Sequence, residues 1–577
     1  MLELLLLWGY IGVFNAVIGL GICKLLQCFV HGRAASAERV GLAGAELAGI
    51  VGITVYAEAV SLFAPVSAGA HLILLAAACA AAGFLRKDLQ LWVKEHLPHS
   101  KEDRWRMVFY LTLVVFTAFF ACQGTQHTDT GIYHAQAIRW YEEYGVVKGL
   151  GNLQQHFAYN SASLAYAAFF SMKWLVGQSL HGTNGFIQAF LVVWAVDGFR
   201  GIWTRKRHLM DGCRIAVILY AVVVSERIMS PATDFSSMYL ILWIAELWVS
   251  CMENPGKTRE EKIFTYGDLS LAAVCAATYK LSAGFLAFAA LYPGIWLLKK
   301  KRGNTALRYV VCGVLILLPW LARNYVISGW LIYPIAALDL FRVDWKVPVE
   351  YLQHDADQIK VWGRCLYDTS RVNDPISIWL PIWWSEKNRP EMMLIIGNIL
   401  AAAGLAAGSF VRIRRCHKEH EEFPWDKFTL YLAILICIAG WFMTAPFIRY
   451  GLAFLLLLPF MVVGDWVRPI PMGVVRIASC YVCLAVFVCM SMYWDYYVLF
   501  DMTWIKQHLH SEHLLTQQDY DNPEVNEYEL EGGLTIYVPP SGTDNLSYYA
   551  FPGSAYQSMA ERTKMRGESI KDGFMPR

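Results

Sequence analysis

Five charged side chains stand near the ends of apolar runs: Asp129 in H-T-D-T-G, Asp234 in P-A-T-D-F, Lys280 in T-Y-K-L-S, Arg323 in W-L-A-R-N and Arg449 in F-I-R-Y. Singly, each reads as an ordinary loop charge, cheap while solvated at a membrane surface and costing about 2.5 to 3.5 kcal/mol only at the bilayer centre. Two carboxylates and three cations gathered at one hydrophobic edge form a more specific set. Transfer from an anionic lipid carrier needs that combination, because a hydroxyl must lose a proton while a phosphate leaves. His134 follows Asp129 by five residues, which on a helix sets the two roughly 140° apart. It reads either as a packing or hydrogen-bonding histidine, or as a donor to phosphate or acceptor. Gly149, Gly151 and Asn152 would cradle a nucleotide only within a βαβ unit, which is absent, so they predict a tight turn with positive φ.

The elements that must position these groups are membrane helices. The chain has 577 residues, 56% hydrophobic and only 17% charged, with a mean hydropathy of +0.37; soluble chains carry about a quarter charged residues. A net charge of +2 and no basic, aromatic-interleaved patch argue against nucleic acid as a partner. Apolar runs at 2–22, 41–63, 67–85, 106–121, 183–199, 213–229, 234–252, 267–282, 284–298, 309–327, 391–410, 428–446, 450–466 and 472–494 predict an all-α integral membrane protein with about 14 spans. The fourteen cysteines lie mostly inside these runs as small hydrophobes, and Cys480 and Cys483 lack the companions of a metal site. The first run has no basic flank or cleavage site and is read as a retained helix.

Lys/Arg clusters at 86–106, 200–214, 299–308 and 412–418 belong on the cytoplasmic side. That places 122–182, 230–234, 279–282, 328–390, 444–449 and the tail on the outer face of the plasma membrane. The division is 1–104 for the first helices and a cytoplasmic loop, 105–497 for the core with external loops 122–182 and 328–390, and 498–577 for a small polar appendage. Residues 156–177 are apolar enough to span, but a crossing there would move Arg205, Lys206 and Arg207 outside, so a re-entrant or interfacial helix is expected. Tyr133, Ala137, Trp140, Tyr141 and Tyr144 mark an amphipathic helix lying in the interface. The 328–390 loop is long enough to be a lid or binding loop. In the tail, L-T-I-Y-V-P-P-S-G reads as a strand ending in a turn, with a frayed end after about Ala560.

Taken in order, several motifs resemble the GT-C superfamily of polytopic glycosyltransferases that use lipid-linked sugars. They are an early loop acid followed by an amphipathic helix, a second acid opening a later span, P-W-x-x-R-N-Y-x-x-S-G-x-x-x-Y-P from Pro319, and W-x-x-x-A-P-x-x-R-Y from Trp441. D-T-G-I-Y-H, E-E-Y-G-V-V-K-G-L-G-N-L and Y-N-S-A-S resemble a poorly characterised bacterial branch of large membrane proteins. The resemblance covers about residues 105–466. It implies inverting transfer from a polyprenyl-phosphate sugar to the hydroxyl of a glycan or lipid-linked acceptor on the outer face, within membrane lipid. Asp129 matches the family's general base, already ionised at neutral pH with an ordinary pKa near ~3.9. Arg323 and Arg449, with Lys280 behind them, become candidates for the leaving phosphate. Asp234 corresponds to an acid that some members place around a divalent metal. Without a D-x-D or D-D companion it is read, with His134, as supporting the base or binding acceptor; no metal ligand is assigned, and a divalent metal is left open as cofactor.

Two other readings compete. A surface-polysaccharide polymerase or ligase would lean on loop arginines such as Arg342, Arg364 and Arg371. A lipid-linked-sugar transporter or flippase predicts mid-membrane ionisable groups and mirrored halves, whereas most charges here cluster at helix ends.

Overall fold

A backbone surrounded by lipid must satisfy its own polar groups, and a chain this apolar does so by forming helices. The computed structural model describes residues 1–32, 40–200, 208–466 and 502–577. Its α-helices up to residue 466 are α1 (Leu2–Leu26), α2 (Leu42–Ser61), α3 (Ala68–Phe84), α4 (Arg86–His96), α5 (Lys101–Ala121), α6 (Ala135–Glu143), α7 (Leu150–Leu153), α8 (Ala162–Phe169), α9 (Lys173–Val176), α10 (Thr183–Gly198), α11 (Leu209–Val224), α12 (Thr233–Glu253), α13 (Arg259–Tyr279), α14 (Leu291–Lys299), α15 (Gly303–Ser328), α16 (Val349–Gly363), α17 (Ile376–Ser385), α18 (Arg389–Glu419), α19 (Trp425–Thr444) and α20 (Ile448–Trp466). A 3₁₀ segment, Leu281–Ala290, runs directly into α14.

The chain is thus a helical, multi-pass membrane protein, with fewer spans than expected. Among the described residues nine helices are long and apolar enough to cross a membrane, or ten if α3 and α4, bent by 79°, count together. The first thirteen predicted runs all fall on helices. Four fail as straight spans for physical reasons. The helices α10 and α11 have only 16 residues each, about 24 Å of rise against a core of about 30 Å. α13 opens on the charged R-E-E-K, and α3 ends at its bend into α4. The predicted 472–494 span, Cys480, Cys483 and the Arg205, Lys206, Arg207 loop lie outside the described residues.

Residues 156–177 break into a 3₁₀ turn, α8 and α9, so no single span forms there. The interfacial helix expected over 131–144 exists as α6, but its polar face is covered. Arg139 lies over the rings of Tyr548 and Phe551, and Glu142 accepts bonds from Ser179 and Tyr548. The 328–390 loop carries two helices, α16 and α17.

The C-terminal segment pairs β1 (Asn526–Glu529) with β2 (Thr535–Val538) and β3 (Thr563–Met565) with β4 (Phe574–Pro576), both antiparallel. The end after Ala560 is therefore ordered rather than frayed. β4 is also tied to the 122–182 segment, since the Phe574 N–H donates to Lys148 O at 2.9 Å. Trp140, Phe157, Trp330, Leu352, Ile536 and Phe574 form a second hydrophobic core that joins 122–182, 328–390 and the tail outside the helix bundle.

Gly149 shows how tightly these pieces fit. It holds a left-handed φ of 63°, its N–H donates to Val326 O, and a Cβ there would run into Phe574 O. The same logic joins α1 to α2, where a Cβ on Gly19 would strike Ala45 O and one on Gly49 would strike Asn15. Small residues let the two helix backbones touch. Gly49→Val should therefore destabilise the protein by more than about 3 kcal/mol, whereas Gly9→Val on the same hairpin, with open space at its Cβ, leaves stability unchanged; unfolding in detergent compares them.

Candidate functional site

Four of the five helix-end charges meet. Asp234 sits in the first turn of α12, where a helix dipole favours an anion, and Lys280 caps the C-terminus of α13, where it favours a cation. Asp129 lies in the short turn after α5. Pro446 interrupts the chain between α19 and α20, so Arg449 falls in the first turn of α20. That break is held from the 328–390 loop, with Trp383 Nε1 donating to Pro446 O at 2.9 Å.

Arg449 is the centre of the cluster. Its Nη2 lies 3.3 Å from Asp129 Oδ2, its Nε 3.6 Å from Asp234 Oδ2, and its Nη1 2.7 Å from His127 Nε2. Asp234 Oδ1 accepts from Lys280, whose ammonium also stands 3.4 Å from the centre of the Tyr450 ring. The Tyr450 hydroxyl accepts from Arg449 at 3.1 Å. Arg449 retains 40% of its side-chain exposure and Asp129 23%, so the cluster opens to solvent.

Burial pushes the Asp129 carboxyl up, but Arg449, His127, His134 and Lys280 together outweigh it and hold it below the ordinary 3.8. Burial pushes the His127 imidazole down more than Asp129 and Asp234 pull it up, so the ring is neutral at neutral pH. Arg449 Nη1, which can only donate, faces Nε2, and the Asp129 backbone N–H lies 3.1 Å from Nδ1, with Asp129 Oδ2 3.8 Å from the same nitrogen. The His127 backbone N–H donates to Ser230 Oγ at 2.6 Å, and Asn184 fixes the same turn through Ser230 O and Ala232 O.

His134 lies beneath Tyr133 with ring centroids 4.2 Å apart. It is 1% exposed, neither ring nitrogen has a partner, and burial lowers its pKa to about 3. Among the described residues no group of three or more His, Cys, Asp or Glu side chains is arranged to hold a metal ion.

Arg323 is not brought to this cluster. It is 2% exposed, and its guanidinium donates to Asn160 Oδ1, Ser61 Oγ and Gly145 O at 2.9, 2.9 and 3.1 Å while lying 3.7 Å over the Tyr141 ring. Tyr141 in turn donates to Glu58 Oε1 at 2.7 Å. The R-N motif and the Y-N-S motif thus bind each other, with Asn160 Nδ2 donating to Asn324 Oδ1 at 2.9 Å. Arg342 and Arg371 pair with nearby aspartates of their own loop, and Arg364 donates to Val372 O.

His127 and Tyr450 belong to the cluster but carried no role in the sequence reading. For His127 the available signal was a histidine two residues before the loop acid; for Tyr450, its place beside Arg449 in the A-P-x-x-R-Y motif.

The chain belongs to a family described as a domain of unknown function, DUF8201, whose model matches residues 1–456. No curated protein and no solved structure matches it. The matched residues include every clustered side chain and stop short of the C-terminal segment.

The two arginines should respond differently to removal. Arg323→Ala leaves the buried acceptors Asn160 Oδ1, Ser61 Oγ and Gly145 O without their donor and, at about 1 to 3 kcal/mol for each acceptor left unsatisfied, should cost at least about 3 kcal/mol. Arg449→Ala, at a half-exposed position, should leave the unfolding midpoint in detergent near that of the wild type.

Proposed function

We propose that the chain is a membrane glycosyltransferase that moves a sugar from a polyprenyl-phosphate donor to a hydroxyl acceptor of a cell-surface glycan. On this reading the cluster faces the outer side of the plasma membrane, as the Lys/Arg distribution implies. The observation that carries the proposal is the convergence of Asp129, Asp234, Lys280 and Arg449 from four separate elements onto one open, membrane-edge site.

The chemistry assigned to these groups is a single displacement. The acceptor oxygen attacks the anomeric carbon, Asp129 Oδ2 takes the hydroxyl proton, and the bond from the anomeric carbon to the phosphate oxygen breaks. The lipid phosphate leaves with both electrons of that bond and inverted configuration remains at the sugar. Arg449 and Lys280 supply donors where the negative charge accumulates. Arg449 is well placed for this because it adds its charge to the positive N-terminal end of α20, an arrangement poor for a lone cation and good for an anion.

Donor and base are linked through the same guanidinium. A phosphate that draws Arg449 toward itself loosens the Asp129 pair, which raises the proton affinity of Asp129 as the acceptor hydroxyl arrives. Asp234 keeps Lys280 in place, and neutral His127 orients Arg449 without adding charge. Arg323 has a structural role in this account and is removed from the donor-phosphate group.

Asp129→Asn should lower transfer in membranes supplied with polyprenyl-phosphate sugars by about 10²- to 10⁴-fold while donor binding persists; unchanged transfer would remove the assignment of the base. The pH profile gives an independent check. The carboxyl of Asp129 is held down by Arg449, so its charged form is present above the ordinary aspartate range and is lost only as pH falls through the lowered value. Arg449→Gln should therefore move the acid limb of kcat/KM upward, besides reducing kcat by about 10²- to 10³-fold. An acid limb that stays in place would break the proposed link between the two residues.

A further inference from the structure

A cavity of about 1630 Å³ opens among α1, α2, α5, α10 and α13, and none of the clustered side chains lines it. Its walls are apolar stripes at helical spacing: α2 presents Ala48, Val51 and Val55, and α10 presents Phe190, Val193 and Trp194. The α1–α2 hairpin is pinned to the N-terminal end of α10, where Trp8 Nε1 donates to Gly182 O at 2.8 Å and a Cβ on Gly185 would strike the Trp8 ring. Beyond that contact the cavity separates the hairpin from α10.

An empty space of this size forfeits the contacts its walls could make. Water would fill it poorly, because the valine and phenylalanine stripes offer no hydrogen-bond partners. Pockets for drug-sized ligands hold about 300 to 1,000 Å³, so the occupant is larger than those. Along α10 the lining runs from Phe186 to Arg200, about 21 Å of rise, which is more than half of the ~30 Å hydrocarbon core. That depth suits the acyl chains of one leaflet. The C-terminal segment does not supply the filling from its described part, since Trp504 stacks on Phe120 with centroids 5.3 Å apart, and Phe120 lies on the side of α5 opposite the cavity-lining Leu111.

The open end, at the C-terminus of α10 and the N-terminus of α5, carries both signs of charge. Arg106 pairs with Asp103. Arg200 donates to Asp197 Oδ2 at 3.1 Å, and Asp197 Oδ1 accepts from the Tyr110 hydroxyl at 2.5 Å. From the α13 side, Lys257 donates to Thr265 Oγ1 at 2.9 Å, and Asp268 pairs with His31 at 3.1 Å. A hydrocarbon chain gains little by leaving the bilayer for another apolar space, so selection falls to this end. Its cations suit a phosphate and its carboxylates suit an ammonium. A phosphate alone would face Asp103, Asp197 and Asp268 with nothing to offer them.

We infer that this cavity is a binding site for a zwitterionic glycerophospholipid, with its acyl chains between α2 and α10 and its headgroup among Arg106, Arg200 and Lys257. The bound lipid braces the α1–α2 hairpin where protein contacts with α10 give way. Because the site lies apart from the charged cluster, the inference stands or falls independently of the proposed transfer.

The test is native mass spectrometry of the full chain after exhaustive detergent exchange, with phosphatidylethanolamine, phosphatidylglycerol and a polyprenyl phosphate each added at equal concentration. One phosphatidylethanolamine per chain should be retained, about tenfold over either other lipid, the worth of one charge-assisted hydrogen bond. Gly44 lines the cavity and has open space at its Cβ, so Gly44→Phe should fill part of it and lower retention at least about tenfold. Gly69→Phe, equally open at its Cβ but away from the cavity, should retain the lipid as wild type does. Matching unfolding midpoints show that both variants fold. Arg106→Gln combined with Lys257→Gln should abolish the preference for phosphatidylethanolamine. Retention of no lipid by wild type, equal or stronger retention of the polyprenyl phosphate or phosphatidylglycerol, or undiminished retention by Gly44→Phe overturns the assignment.

Discussion

A guanidinium taken out of water has to have its donors met, and Arg323 meets that demand by tying together segments far apart in the sequence. One hydrogen bond reaches Ser61 at the end of α2, one reaches Gly145 after α6, and one reaches Asn160 before α8. Asn160 is held at a left-handed φ of 46° and also binds Trp320 O and Asn324 on the arginine's own helix. The residue after it, Ser161, donates to Tyr279 O at 2.6 Å. Tyr279 precedes Lys280, so the buried arginine indirectly sets the position of a charge in the open cluster. Gly145 is needed for the same reason: with φ at 75°, a Cβ there would lie 2.6 Å from Ser61 O.

Arg323 and Arg449 show why a residue type near a helix end does not disclose its use. α15 continues five residues past Arg323 to Ser328, so that arginine lies inside the last turns and is enclosed by the loops folding back on them. α20 begins one residue before Arg449, after a proline break, and its side chain projects at the rim. The sequence marked both positions as charged helix ends. What separates them is whether Ser61, Gly145 and Asn160 arrive, and nothing local to the R-N motif encodes that.

The helices themselves were legible, since each of thirteen hydropathy runs became one. Their number as spans was not, because apolarity along a run fixes neither the length of the helix nor a bend such as that between α3 and α4. The clustering of Asp129, Asp234, Lys280 and Arg449 followed from placing loops on one side by their charge. His127 went unassigned because its value lies in contacts to Arg449 and Ser230, 322 and 103 residues away. The C-terminal end looked frayed because E-R-T-K-M-R-G-E-S has no apolar period. Its order comes instead from strand pairing with its own last residues and from Lys148 and Gly149, which hold Phe574.

The charges of the open cluster also limit what can bind there. Two carboxylates and two cations cancel, and His127, kept neutral by burial, does not tip the balance. A small anion drifting past therefore meets no net field, and it must compete with Asp129 and Asp234 for each donor it gains. A ligand that brings more than charge overcomes that competition, through an apolar tail in the membrane edge. Self-neutralisation thus turns a generic anion site into one that responds to an anion carrying the right attachments. It also keeps Arg449 and Lys280 oriented while the site is empty, so little reorganisation is needed when the ligand arrives.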